Sequence, residues 1–185
     1  MARPLSPTEL KRLHRTWRRV TEARLGLLLD AVQTPFNVGS ILRTAAALRV
    51  DHLWLAGASA APGDPKTQKT ALGATRYLSW TVTDDAAAAA DAVHGAGYRL
   101  VGIELAEGAE PLHHLDLSGD VCLAVGHEDR GLSAACLAAC DAVGFIPLLG
   151  RVGSLNVAAA TAMALYEVRR QHWPAPEDPG RNSAP

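Results

Sequence analysis

The chain is poor in several things, and each shortage excludes something. Aromatic residues make up only 5% of its 185 residues, and no apolar run reaches the roughly 20 residues of a membrane span. The basic start, MARPLSPTELKRLHR, lacks the apolar stretch that a secretory signal carries behind its charges. A cytoplasmic protein with no membrane contact is therefore expected. Cysteine is scarce and odd in number: Cys122, Cys136 and Cys140 lie in apolar settings, which argues for free core thiols and against a disulfide framework. Cys136 and Cys140 stand four apart, but no His or second Cys pair completes a zinc set, so no metal is expected. There is no GxGxxG after the first apolar run and no GxxxxGK followed by Ser or Thr, which counts against a Rossmann dinucleotide site and a P-loop. Internal repeats and long linkers are also missing, and the length suits one domain with a real core.

What is present is uneven in charge. Residues 1–24 hold Arg3, Lys11, Arg12, Arg15, Arg18, Arg19 and Arg24 against Glu9 and Glu22, a net +5, which leaves −6 for the remainder of a chain whose formal charge is −1. A basic arm on an acidic body suits a polyanionic partner, because clustered Arg and Lys release counterions from phosphates; a solvated helix face is the bland alternative. Short apolar runs alternate with helical patterns behind that arm. A helix is predicted from Ser6 to about Glu22, with Ser6 as cap, Pro7 at its first position and Glu9 completing a capping box. Strands are predicted near Leu25–Ala31, His52–Ala56, Tyr77–Val82, Tyr98–Glu104, Asp120–Val125 and Ala142–Ile146. Helices are predicted over Val38–Leu48, Thr67–Leu72, Asp84–His94, from Ser133, and from Ser154 to about His172. This alternation predicts an α/β fold, a mostly parallel sheet with helices on both faces. The polar, proline-rich end, PAPEDPGRNSAP, is expected to stay disordered.

In an open parallel sheet the loops after the strands are where ligands bind. QTPFNVGSILR follows the first strand: with Asn37 as cap, Val38, Ile41, Leu42 and Ala45 form the buried stripe, while Gly39, Ser40, Arg43 and Ala47 share the outer face. Small residues beside the fork-shaped cation of Arg43 leave room for a large anion, although a capped helix with one solvated Arg fits as well. LAVGHEDRGLS ends a buried strand at Gly126 and places Glu128, Asp129 and Arg130 before a helix capped by Ser133. IPLLGRVGSLNVAAATAMALYE opens a helix that is apolar nearly all round, so its start is expected to be buried. Ser154 and Asn156 both stand there, and one polar residue would suffice to cap it.

Taken in this order after these strands, NVGSILRTA, VGHEDRGLS and IPLLGRVGSLNVAAATAMALYE resemble the three signature motifs of the SpoU/TrmH branch of the SPOUT RNA methyltransferases, over roughly Leu25 to Gln171. The resemblance implies S-adenosylmethionine-dependent 2'-O-ribose methylation of RNA by a homodimer. It also implies a C-terminal deep trefoil knot that forms the cofactor pocket, a topology that periodicity alone would never suggest. By position it puts the catalytic arginine on Arg43 and the motif asparagine on Asn37, with Glu128, Ser154 and Asn156 as further polar site residues. It puts the cofactor against Gly126, Ile146 and Leu155, with Leu105 and Leu148 beside them. His127 stands where many relatives carry a small or amide residue. The expected organisation is a basic N-terminal helical extension over 1–24 whose Lys11, Arg12, Arg15, Arg18 and Arg19 bind RNA, a methyltransferase domain over 25–172, and a tail over 173–185. A single domain with a short basic extension looks more like the transfer-RNA members than the ribosomal-RNA ones. The competing readings are a ribosomal-RNA methyltransferase, a knotted RNA-binding module without turnover, and a small-molecule nucleotide enzyme on a flavodoxin-like sheet.

Overall fold

The computed structural model describes residues 3–18 and 21–173. Its first helix, α1 (Pro7–Trp17), begins as the sequence predicts: Ser6 accepts from the Glu9 backbone and Glu9 answers at the Ser6 backbone N–H, 2.8 Å away. The helices α2 (Pro35–Ala47), α3 (Pro65–Ala71), α4 (Ala86–Gly95), α5 (Ala134–Ala139) and α6 (Val157–His172) are interleaved with the strands. These are β1 (Leu25–Asp30), β2 (His52–Ala56), β3 (Trp80–Thr83), β4 (Arg99–Ile103), β5 (Glu110–Pro111), β6 (Val121–Val125) and β7 (Ala142–Phe145). All seven strands are parallel, in the order β3-β2-β1-β6-β4-β7-β5. Strand β6 thus enters between β1 and β4, and β7 between β4 and β5.

Sheet pleating divides β1 between two cores. Leu25, Leu27 and Leu29 face one side, where Val38, Ile41 and Leu42 of α2 and Leu165 and Val168 of α6 close over them. Leu28 faces the other, against Trp54, the Ala89–Ala90–Val93 face of α4 and Cys136 of α5. Each fully buried leucine contributes about 2 kcal/mol relative to exposure, so β1, buried at every position, anchors both layers. Gly26 shares the second face, and it is a glycine because a Cβ there would stand 2.9 Å from the Trp54 ring. Arg169, 3% exposed, ties α6 to this frame: its guanidinium donates to the carbonyl oxygens of Leu48 (2.8 Å), Ala23 (3.0 Å) and Arg49. Burial lowers its pKa from the ordinary arginine value. Cys122 and Cys136 are buried and Cys140 half-buried, all as free thiols.

Several element boundaries differ from expectation. The chain after α3 winds a 3-10 turn over Ala74–Tyr77, so β3 starts at Trp80 and not at Tyr77. Helix α6 starts at Val157, not Ser154, and its first turn is half-exposed where the sequence pointed to burial. Strand β5, two residues long, had no alternation to announce it. Arg19 and the segment 174–185 lie outside the described residues.

Candidate functional site

The carboxyl ends of β1, β4 and β6 converge on the loop 126–133. That loop folds back on itself: His127 and Gly131 exchange two backbone hydrogen bonds, of 3.0 and 2.9 Å. A side chain at Gly126 would overlap the Gly131 backbone, so glycine is required at the first position after β6. Three acceptors then hold the loop. Asp30, the last residue of β1, accepts from the Ser133 N–H at 2.7 Å; Glu104, just past β4, accepts from the Leu132 N–H at 2.9 Å; and His127 Nδ1 accepts from the Asp129 N–H at 3.0 Å. Ser133 in turn caps α5 by accepting from the Cys136 N–H.

Held this way, the loop aims Glu128 at the start of α2. Its carboxylate accepts from the backbone N–H groups of Gln33 (3.3 Å) and Thr34 (3.0 Å) and from Asn37 Nδ2 (2.9 Å). Partial burial pushes its pKa up, but the Asn37 amide and the Thr34 donors outweigh that and hold the carboxyl at about 2. The anion also faces the positive end of the helix dipole. Asn37 Oδ1 accepts from Asn156 Nδ2 at 3.0 Å, and Asn156 Oδ1 accepts from the Ala158 and Ala159 N–H groups, capping α6. One chain of hydrogen bonds thus runs from a carboxylate through two amides and joins the N-termini of α2 and α6. Each amide has its oxygen and nitrogen assigned by the neighbour before it, starting from a carboxylate that can only accept.

Two expectations about α2 fail here. Asn37 does not cap it: the helix starts earlier, behind Thr34 and Pro35, and Asn37 sits buried inside its first turn. Glu128 instead binds the Gln33 and Thr34 N–H groups just ahead of the helix and the Asn37 side chain inside it. Gly39 does not open the outer face either, because a Cβ there would meet the Thr67 carbonyl oxygen at 2.5 Å and Thr70 Cβ at 2.7 Å; it is the crossing point of α2 and α3. Arg43 and Ala47 do stand exposed, with Phe36 one turn before the half-buried Ser40 on the same side. Arg43 enters no ion pair among the described residues.

The remaining residues singled out in the sequence are spread around this chain. Ser154 is exposed, three residues before α6. Leu105 (73% exposed) and Leu148 (37%) project from the segments after β4 and β7, while Ile146 and Leu155 are half-buried. Lys11, Arg12 and Arg15 lie exposed on α1, and Arg18 is its C-cap. The sequence reading missed Asp30 and Glu104. Both are acids at the end of a strand, the same signal that drew attention to Glu128. Among the described residues no group of His, Cys, Asp and Glu could hold a metal ion.

A family model, the SpoU rRNA Methylase family, matches residues 24–166, the span that holds the whole hydrogen-bonded chain. The chain belongs to the SpoU rRNA methylase family. Among SpoU relatives, the 23S rRNA (guanosine-2'-O-)-methyltransferase RlmB of Acinetobacter baylyi is 36% identical over 146 residues, 78% of this chain and 59% of its own. The SpoU methyltransferase AviRb from Streptomyces viridochromogenes, solved in complex with the cofactor AdoMet, superposes with a TM-score of 0.74 at 35% identity, covering 83% of this chain and 62% of that one. A structure described as giving insights into the 2-OH methylation of C/U34 on tRNA matches with a TM-score of 0.72 at 32% identity, over 80% of this chain and 96% of that one. This SpoU chain spans about six-tenths of the length of the curated relatives it matches.

Proposed function

We propose that this protein transfers a methyl group from S-adenosylmethionine to a ribose 2'-hydroxyl of RNA, with transfer RNA as the favoured substrate. The observation that carries the reading is the chain Glu128–Asn37–Asn156, which braces the N-termini of two helices while Arg43 on one of them is exposed, with no ion pair among the described residues. A braced helix with a free guanidinium suits a phosphodiester that must be held still while its ribose reacts. Ribosomal RNA is the second reading, favoured by the relatives named for 23S rRNA. The match over nearly the full length of the structure concerned with tRNA favours the first.

The residues present fit the cofactor. Ile146, Leu148, Leu155 and Leu105 are uncharged, and Leu105 and Leu148 are exposed. Such side chains suit an adenine ring and an aliphatic chain, with Gly126, buried at the end of β6, offering only backbone. S-adenosylmethionine supplies, when bound there, an electrophilic methyl group. The chain's own residues supply the rest. Arg43 holds the substrate phosphate and stabilises the alkoxide that develops as the hydroxyl gives up its proton to solvent water. A guanidinium is essentially never deprotonated in proteins, so the role assigned to Arg43 is electrostatic. Glu128, its pKa held at about 2 and its oxygens taken by the Gln33 and Thr34 N–H groups and by Asn37, positions Asn37 and the helix that carries Arg43.

The same reading includes a homodimer and a knotted C-terminus. In support of the first, Met163 and Tyr166 of α6 are about half exposed and border, with Leu112, Ile146 and Pro147, a groove of about 530 Å³. In support of the second, β6 and β7 enter between strands laid down earlier in the chain. It keeps residues 25–172 as the methyltransferase domain, 1–24 as an RNA-binding extension and 173–185 as a tail, in a cytoplasmic protein. No helix among the described residues is long and apolar enough to cross a membrane. The test is to incubate the protein with transfer RNA and ribosomal RNA separately, using methyl-labelled S-adenosylmethionine, and to digest the RNA to nucleosides. Label in 2'-O-methylribose from the tRNA arm is the expected result. Label on a base, or none in either arm, overturns the reading.

A further inference from the structure

One stretch of this chain gathers three cations and carries no acid. From Pro65 to Thr83 the only charged residues are Lys66, Lys69 and Arg76, whereas the following stretch, Asp84 to Asp141, holds eleven acids against two arginines. All three cations are exposed, and none enters an ion pair among the described residues. Their electrostatics suit a polyanion.

An aromatic platform stands among them. Tyr77 is 69% exposed, and the Arg76 guanidinium lies over its ring at 4.8 Å from the centroid. The turn that presents the pair is rigid. Gln68 donates to the Pro62 carbonyl (2.6 Å) and shares a hydrogen bond with the Thr75 hydroxyl (3.2 Å), and Leu78, directly after Tyr77, is buried. Leu72 closes α3 in the left-handed region (φ 49°), a conformation unfavourable to leucine, and Gly73 continues in it at φ 75°. The chain accepts that strain to bring the turn Ala74–Tyr77 against α2, the helix of Arg43. The crossing at Gly39 sets α3 against α2 one helical turn from Arg43.

We propose that Lys66, Lys69, Arg76 and Tyr77 form a second RNA-contact surface, which takes an unpaired strand flanking the methylated ribose. The cations follow its phosphates, and one unstacked base rests on the Tyr77–Arg76 pair. This rests on the RNA reading above and deepens it: the substrate is recognised as a single-stranded segment. Bases stack on an exposed aromatic ring whatever their identity, so the surface selects for an open strand and not for a sequence. Nothing in it requires the basic arm of α1.

The test uses the full-length protein, a fluorescein-labelled unstructured RNA 12-mer, and the same 12-mer annealed to its complement, with affinity read by anisotropy over a salt series. Tyr77→Ala is expected to lose about tenfold in affinity for the single strand and little for the duplex, with Tyr77→Trp restoring the loss. The triple variant Lys66→Gln, Lys69→Gln, Arg76→Gln is expected to lower the salt slope for the single strand by up to about two. Calorimetric binding of S-adenosylmethionine serves as the folding control and is expected to be unchanged in both. Single-strand affinity and salt slope equal to wild type in folded variants overturn the proposal and leave the methyltransferase reading standing. Variants that change the sedimentation coefficient but not RNA affinity mark the patch as a protein interface and also overturn it. A wild-type protein that binds the cofactor but no RNA overturns both.

Discussion

Replacing Glu128 with Gln tests whether one carboxylate organises the site. In the native protein its two oxygens accept from the Gln33 and Thr34 backbone N–H groups ahead of α2 and from Asn37, and its pKa falls from an ordinary 4.5 to about 2. At 1.36 kcal/mol per pH unit that difference amounts to about 3 kcal/mol of folding stability at neutral pH, and screening on the solvent side reduces it to about 2 kcal/mol. A carboxyl whose pKa is depressed by folding stabilises fully above its unfolded value and loses that stabilisation as pH falls through the folded one. The window is therefore from about 4.5 down to about 2. Glutamine keeps the size but offers one acceptor, and its NH2 group either faces the Gln33 or Thr34 N–H or forces Asn37 to turn over. A turned Asn37 would present its NH2 to that of Asn156 and break the chain to α6. Urea unfolding followed by the fluorescence of Trp54, buried against α4, is expected to show Glu128→Gln about 2 kcal/mol less stable at pH 7. That gap should shrink steadily at pH 5, 4 and 3. Other depressed acids, among them Glu9 and Asp120, titrate in both proteins and cancel in the difference. A gap that stays constant across this range would show that the carboxylate does not stabilise α2 by its charge.

Three further outcomes follow from the same geometry. Arg43→Ala should cost no more than about 0.5 kcal/mol of stability, as for other exposed residues, yet lower single-turnover methyl transfer by about a hundredfold or more; Arg43→Lys should fail nearly as badly, because it keeps the charge and loses the planar fork. Leu155→Asp should weaken cofactor binding by at least about tenfold in calorimetry while the oligomeric state seen by sedimentation is unchanged, and an unaltered affinity would remove Leu155 from the pocket. Gly39→Ala gains about 1 kcal/mol in helix propensity, but the new Cβ falls 2.5 Å from a backbone oxygen that cannot swing aside, so the net expectation is a loss of about 1–2 kcal/mol in urea unfolding. A stabilised Gly39→Ala would show that α2 and α3 can separate there without cost.

The sequence by itself determined what depends on neighbours along the chain. The Ser6–Glu9 capping box, the Ser133 cap of α5 and the all-buried β1 are settled within a few residues, and they stand where pattern and side-chain chemistry put them. The parallel sheet covered on both faces follows from strands alternating with helices, and the family motifs fixed which residues to watch. The tertiary structure decided what those residues do. Asn37 has the right chemistry for a helix cap, and local rules chose it for that. Its amide is instead engaged by Glu128, 91 positions away, and by Asn156, 119 positions away, while Glu128 also takes the Gln33 and Thr34 N–H groups ahead of the helix. Gly39 looked like clearance for a ligand and proved to be clearance for α3, because only the packed helices show which side of α2 meets a neighbour. Asp30 and Glu104 gained their roles only when β1, β4 and β6 were brought side by side, an order that β6 creates by inserting between the other two. Capping and burial are decided within a turn or a strand, and so can be read from sequence. A hydrogen bond between distant loops depends on strand order and register, which are set by the energy of the whole sheet and leave no local trace.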